Sequence, residues 1–278
     1  LFNGSANAAV QVGFENVDAS GITGSFGADI TAIATGSTIT GTGNSDVITG
    51  GAGVDTVVMT AGNDAIGLGA SNDVVKITAA LLEAHSASTA TIDGGTGTGD
   101  AITLTTVSTG IADLDFARIS NVEVLNLAAG DYTIGLGALA TAAGITSVVY
   151  GVGDIALNAS GLGTAAAPVE ITGMTLNAAG DVLNFGGTAA AGNVAITGWT
   201  ITNGVYTKAG ATVADFYAAI AGASNLAGEV GAFTNGGNTY VFAEGAATGA
   251  ADDSHVALIG VTATSVSATH GAAVVHIG

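Results

Sequence analysis

Four aspartates follow one another at intervals of nine residues: Asp46, Asp55, Asp64 and Asp73. Two positions after each stands a β-branched aliphatic: Ile48, Val57, Ile66 and Val75. The stretch Gly50-Gly51-Ala52-Gly53-Val54-Asp55-Thr56-Val57-Val58 fits the nonapeptide G-G-x-G-x-D-x-U-x throughout. Each nonapeptide reads as a turn followed by a short strand. Glycines let the turn backbone reach positive φ, which most side chains forbid. Within the strand the aliphatic points inward and its neighbours outward, because successive side chains alternate. Two nonapeptides make one coil, so Asp46 and Asp64 are expected on one edge and Asp55 and Asp73 on the other.

Carboxylates stacked in this way invite a divalent cation. Ca2+ takes about six to eight oxygens, from carboxylates and backbone carbonyls. Stacked turns supply both, at a rung spacing of roughly 4.8 Å. The expected metal site comprises Asp46, Asp55, Asp64 and Asp73, together with the turn glycines Gly41, Gly43, Gly50, Gly51 and Gly53. The first unit carries Asn44 where a glycine is expected. The third opens Met59-Thr60-Ala61 and the fourth Leu68-Gly69-Ala70; both keep the aspartate and lose glycines, which predicts wider turns and weaker sites. A further turn at Gly94-Gly95-Thr96-Gly97-Thr98-Gly99-Asp100 adds Asp100 as a candidate ligand. Aspartates are also ordinary turn residues in Gly-rich β proteins. The constant aliphatic offset favours the calcium reading.

Only Lys76, Arg118 and Lys208 are basic, against 22 acids and a net charge of −19. Nucleic acid would need a basic patch, and anionic lipid is disfavoured for the same reason. A store of acids suits a chain that collects divalent cations. Cysteine is absent, so no disulfide framework exists and stability must come from the core and metal. The hydrophobic share of 48% argues against disorder. The uncharged stretch 132–153 is long enough to span a bilayer, but its glycines and the strand-like Ser147-Val148-Val149-Tyr150 read as buried strands with turns. No positively charged and apolar pair of a signal peptide is present in this sequence.

The spacing predicts an all-β chain. Residues 1–40 form lead-in strands, 41–76 a calcium-binding parallel β-roll, 77–211 further solenoid or sandwich strands, and 212–278 a small C-terminal module. Within 77–90 the run Ile77-Thr78-Ala79-Ala80-Leu81-Leu82-Glu83-Ala84-His85 predicts a helical excursion. Short β-rich runs are expected at 101–107, 122–127, 145–150, 155–158, 169–176, 182–185 and 194–202. Phe14-Glu15-Asn16-Val17-Asp18 is echoed by Ser120-Asn121-Val122-Glu123-Val124-Leu125-Asn126-Leu127, which suggests that the coil resumes with irregular rungs. In the module, Thr212 and Asp215 predict a capped helix near 212–222. Asn235-Gly236-Gly237-Asn238 predicts a hairpin turn, and a strand follows from His255.

The nonapeptides resemble the RTX family of secreted repeat proteins. With the Phe-Glu-Asn-Val-Asp stretch, the Val-Glu-Val-Leu-Asn-Leu stretch and the Thr239-Tyr240-Val241-Phe242 hairpin, the chain looks like the C-terminal region of bacterial S-layer and related surface proteins exported by type I secretion. That resemblance implies folding triggered by calcium outside the cell, an uncleaved export signal within about 250–278, and homo-assembly into a lattice or filament at the cell surface. Cell-surface polysaccharide is a candidate partner, and the sequence does not fix the anchor.

Catalytic patterns are missing. H-E-x-x-H, G-x-S-x-G and a P-loop do not occur, and no thiol is available. His85 and His255 stand far apart in sequence, and His270 and His276 read as a mobile C-terminal pair rather than a metal site. The expectation is a non-enzymatic protein: a surface-layer component or a calcium-stiffened adhesin domain. Thr-rich stretches such as Ile39-Thr40-Gly41-Thr42 raise an ice-binding face, but the regular units are few.

Overall fold

The computed structural model describes residues 8–12, 16–22, 28–32, 36–151, 153–159, 161–174, 182–185, 195–223, 229–244, 253–268 and 274–277. The chain divides into two compact units, residues 1–128 with 142–145 and residues 129–141 with 146–278.

The first unit contains β1 (Ala8–Val12), β2 (Asn16–Asp18), β3 (Ala28–Ala32), β4 (Thr38–Thr40), β5 (Val47–Thr49), β6 (Thr56–Val58), β7 (Ala65–Gly67), β8 (Val74–Ile77), α1 (Ala79–Ser86), β9 (Ile92–Asp93), β10 (Ala101–Leu104), β11 (Ile119–Ser120) and β12 (Val124–Leu127). Up to β8, odd-numbered strands pair only with odd and even with even, all in parallel. From β9 to β12 the same alternation continues across longer excursions. Long parallel sheets built from alternating strands are compatible with an all-β solenoid.

Strand spacing explains the register. Ile30 pairs with Ile48 and Ile48 with Ile66, while Ile39 pairs with Val57 and Val57 with Val75. Each step is two nonapeptides. The regular register thus begins at β3, upstream of Asp46. Ile48, Val57, Ile66 and Val75 are all buried, whereas their strand neighbours are exposed or half-buried. Each of these inward aliphatics contributes about 1.5–3 kcal/mol to the core, and Met59, Leu68 and Ile77, again nine residues apart, are buried as well. Two inward columns result: Ile30, Ile48, Ile66, Ile92, Ile119, and Ile39, Val57, Val75, Ile102, Leu125.

The rungs lengthen after β8, where extra chain is looped out. The predicted helix at 77–90 is the shorter α1, started by Thr78, whose Oγ1 accepts from Leu81 N at 3.2 Å. Leu82 and His85 carry its buried face. The 105–118 stretch holds a single 3-10 turn, Asp113–Phe116, instead of a strand beyond Leu104.

The second unit contains β13 (Tyr132–Leu136), β14 (Ser147–Val149), β15 (Ile155–Ala159), β16 (Val169–Thr172), β17 (Val182–Asn184), β18 (Thr200–Thr202), β19 (Val205–Thr207), a helix α2 (Val213–Ala223), β20 (Val230–Asn235), β21 (Asn238–Ala243), β22 (Ser254–Ile259), β23 (Val266–Ala268) and β24 (Val274–Ile277). A six-residue helix, Ala138–Ala143, follows β13. The strands β13, β15 and β17 are parallel, and so are β14, β16 and β22. Pairing then turns antiparallel through β22, β21 and β20.

The expected helix and hairpin are both here. Thr212 Oγ1 accepts from Asp215 N at 3.2 Å while Asp215 Oδ2 accepts from Thr212 N at 2.8 Å, a reciprocal cap on α2. Gly236 and Gly237 take φ of +61° and +83°, the left-handed pair that a tight hairpin needs. Phe216, Tyr217 and Ile220 of α2 pack with Tyr206, Phe233 and Phe242 in an aromatic core. Within 194–202 only Thr200–Thr202 is a strand; a turn at 197–198 precedes it, and residue 194 lies outside the described residues. Among the described residues no helix is long and apolar enough to cross a membrane.

Candidate metal centre

Each aspartate of the repeat stands immediately before a strand, at the edge of the first unit, and each is buried to at least 99%. The structure brings them together in the two expected columns. On one edge, Asp46 N donates to Asp64 Oδ1 at 2.9 Å. On the other, Ser37 N donates to Asp55 Oδ1, Asp55 N to Asp73 Oδ1 and Asp73 N to Asp100 Oδ1, each at 2.7 Å. Asp100 N then donates to Glu123 Oε2 at 2.9 Å. Asp55, Asp64, Asp73, Asp100 and Glu123 thus each accept the backbone N–H of the rung before.

Asp100 joins the longer column although its rung is 27 residues from Asp73. Glu123 closes that column and was not expected as a site residue. Its signal was present: Glu123-Val124-Leu125 repeats the acid and aliphatic offset of Asp55-Thr56-Val57. Ser37 occupies the aspartate position one rung earlier, and its N–H donates to Asp55 while its carbonyl accepts from Thr56 N at 2.7 Å.

The carboxylates divide into two kinds. Asp46 is satisfied locally: Oδ2 accepts from Thr42 N at 2.7 Å and Oδ1 from Thr42 Oγ1 at 2.8 Å. Asp55 is satisfied by Ser37 N and by Gly51 N, at 2.7 Å each. Asp64, Asp73 and Asp100 each leave Oδ2 buried with no hydrogen-bond partner. Burial pushes the Asp64 carboxyl up to about 7; the bond from Asp46 N opposes this and the Asp46 charge adds to it. Burial likewise pushes Asp73 up to about 6, with the Asp55 N–H opposing and the charges of Asp100 and Asp55 adding. Asp100 is raised as well, mainly by burial.

Glycine works here mainly through close approach. A Cβ on Gly41 would collide with Asp46 Oδ2, and one on Gly50 with Leu68 O. Gly51 N donates to Asp55 Oδ2, and Gly51 O accepts from Ala70 N at 3.0 Å. Gly43 has open space around it, and Gly53 is half-buried. None of these five has positive φ; among the described residues of the repeat, Gly62, Gly69 and Ser71 do. The left-handed conformations therefore fall in the glycine-poor third and fourth units, against the expectation of positive φ along the glycine-rich ones.

These residues fit a hard cation in one respect that the structure itself displays. A buried carboxylate oxygen without a donor is costly, and a proton or a cation removes that cost. Asp64, Asp73 and Asp100 offer such oxygens. Side chains alone do not complete a shell: among the described residues no three His, Asp or Glu side chains form a metal-binding group. Among the described residues no imidazole hydrogen-bonds to the columns: His85 lies on the buried face of α1 and His255 against Tyr217 and Phe242. His270 lies outside the described residues.

Weaker traces of the same device recur in the second unit. Asp131 and Asp154 stand directly before β13 and β15, and Asp154 N donates to Asp131 Oδ1 at 3.0 Å. Both are exposed, and the direction of the bond is reversed. No protein-family model, no curated protein and no solved structure matches this chain.

Proposed function

We propose that the first unit is a parallel β-roll whose Gly-Asp turns bind Ca2+, and that the chain is a structural component of a bacterial surface layer, folded and assembled by calcium after secretion. The observation that carries this reading is the set of three buried carboxylate oxygens without a donor, Asp73 and Asp100 at consecutive rungs of one column and Asp64 in the other. Asp46, Asp55, Asp64, Asp73 and Asp100 would hold the ions, with Glu123 at the end of the column. Backbone oxygens near Gly41, Gly43, Gly50, Gly51 and Gly53 would complete the shells. The ion supplies positive charge between carboxylates that otherwise repel, so its binding energy becomes folding energy. Where calcium is scarce the first unit is less stable, which favours keeping the chain unfolded for export.

A non-enzymatic role in self-assembly agrees with the missing nucleophile patterns, the sparse charge and the flat, hydroxyl-rich strands. A calcium-stiffened adhesin domain is the second reading, and an ice-binding face a distant third. Electron microscopy and calcium titration separate them. Ordered sheets or filaments that appear with millimolar calcium and dissolve in chelator are expected. Calcium-dependent folding into monomers alone would leave the adhesin, and melting indifferent to chelator would remove the roll. An export signal within 250–278 cannot be tested by deletion, because β22 sits between β16 and β21 and its loss would break the sheet. Fusion of the segment to a passenger protein tests export instead.

A further inference from the structure

A cleft of about 670 Å³ opens on the second unit, between the β18–β19 hairpin, the turn that follows it and the end of β20. Thr200, Thr207, Lys208, Thr234 and Asn235 supply hydroxyls, an ammonium and an amide, and Phe233 lies among them. We propose that this cleft binds a saccharide unit bearing a single carboxylate, such as a hexuronate of a surface polysaccharide. This deepens the surface-assembly reading, on which it rests, by naming the anchor's chemistry.

Three observations carry it. The volume falls in the range of small-ligand sites, roughly 300–1,000 Å³. The lining matches a polyhydroxylated ligand, and Thr200, Thr207, Lys208 and Asn235 are all exposed. Lys208 is also placed in advance. Its Nζ lies 5.4 Å from the centroid of the Trp199 ring. That ring is braced by Phe216 at 6.0 Å and Phe233 at 5.6 Å.

Charge makes the placement informative. Lys208 is one of three basic residues in a chain of net charge −19. Such a chain repels a polyanion at long range, so an acid group can be recognised only at a local cation. Asp215 is the acid that interacts with Lys208. Its Oδ2 already accepts from Thr212 N at 2.8 Å and Thr212 Oγ1 at 2.7 Å as the cap of α2. The ammonium thus keeps capacity for an incoming carboxylate, with Thr and Asn side chains beside it for hydroxyls.

Trp199 is the only tryptophan, so its emission reports on the cleft. Titration of the full chain in calcium with trimers of galacturonate and of mannuronate should give a saturable change for at least one. Calorimetry checks the same titrations without relying on the fluorophore. Lys208→Gln should weaken binding at least tenfold, Asn235→Ala severalfold, and Lys208→Arg should largely restore it. Maltotriose, the uncharged control, should bind at least tenfold more weakly than the acidic trimer. Saturation by neither acid, equal binding of maltotriose, or affinity unchanged in Lys208→Gln would overturn the proposal. Calcium-dependent melting of the same samples keeps the two readings apart. A chain that melts in chelator but binds no saccharide loses only the cleft; one that binds the saccharide and ignores chelator loses only the roll.

Discussion

The first unit's repeat and the module around α2 reach order by opposite means. Between Phe26 and Phe116 the chain has no aromatic residue, whereas seven lie between Trp199 and Phe242. In the repeat the core is built from small columns of aliphatics, and specificity comes from backbone N–H groups meeting buried carboxylates. In the module, rings fix the packing: Phe216 stacks on Phe233 at 5.5 Å and meets Trp199 edge-on. A core of interchangeable aliphatics needs charge to set its register. A core of shaped rings does not. One region should therefore answer to ions and protons, and the other to side-chain volume.

Chelation should give the largest contrast. At calcium a thousandfold above Kd each ion contributes about 4 kcal/mol. Two ions then correspond to a fall of more than about 10 °C in melting temperature on adding chelator. Far-UV dichroism should register the loss while Trp199 emission retains most of its folded signal. Simultaneous collapse of both signals would erase the contrast.

Phe216→Ala should come next, costing about 3–5 kcal/mol by denaturant unfolding. The cost should be the same with calcium and with chelator. A calcium-dependent cost would tie the module's stability to the ions.

Asp64→Asn should change sign with conditions. In calcium it removes a ligand and lowers the melting temperature. In chelator at pH 7.5 it replaces a buried, donor-less charge with a neutral amide and raises it, by about 1–3 kcal/mol or several degrees. Acidification provides the matching test. With the folded pKa of Asp64 at about 7 and of Asp73 at about 6, above the ordinary 3.8, the folded state holds more protons than the unfolded state between these values. Stability of the chelated protein should then fall as pH rises from about 4 to 7. Asp64→Asn and Asp73→Asn should flatten that slope in scans of melting temperature against pH.

Coupling should be smaller still. In calcium, Asp46→Asn with Asp64→Asn should be non-additive, by about 0.5–3 kcal/mol, because the two share an edge. Asp46→Asn with Asp55→Asn, on opposite edges, should be nearly additive. Equal coupling in both pairs would mean that the edges are not independent. The smallest effect is expected at Gly43→Ala, near neutral in melting temperature, while Gly41→Ala at the Asp46 carboxylate should destabilise clearly.

Where the period was strict, the fold was legible. Ile48, Val57, Ile66 and Val75 could be placed inward, and the two edges followed from two nonapeptides per coil. Asp100 was legible through its glycines. Glu123 keeps the acid and aliphatic offset but was harder to read, because a glutamate replaces the aspartate and no turn glycines precede it. Excursions such as α1 break the count without breaking the stack. Upstream, Ile30 and Ile39 continue the columns with no acid before their strands, so the aspartate signal could not mark where coiling starts. The turn conformations were hidden for another reason. Which residue takes positive φ depends on the rung above, as at Gly69, whose Cβ would collide with Gly51 O. The cleft at Lys208 was invisible in the sequence, because hairpin, turn and β20 meet only after α2 has packed.

The carboxylate columns of the first unit also give the chain a grain. At Asp46, Asp55, Asp73 and Asp100 the N–H waits for an acceptor that lies downstream, never upstream. An N-terminal piece of the coil is thus always one acceptor short, while a C-terminal piece lacks only a donor that water can replace. A polypeptide emerging with its last residues first would lay down each receptor before the rung that docks on it. One emerging from the other end would carry an open rung at its growing tip throughout.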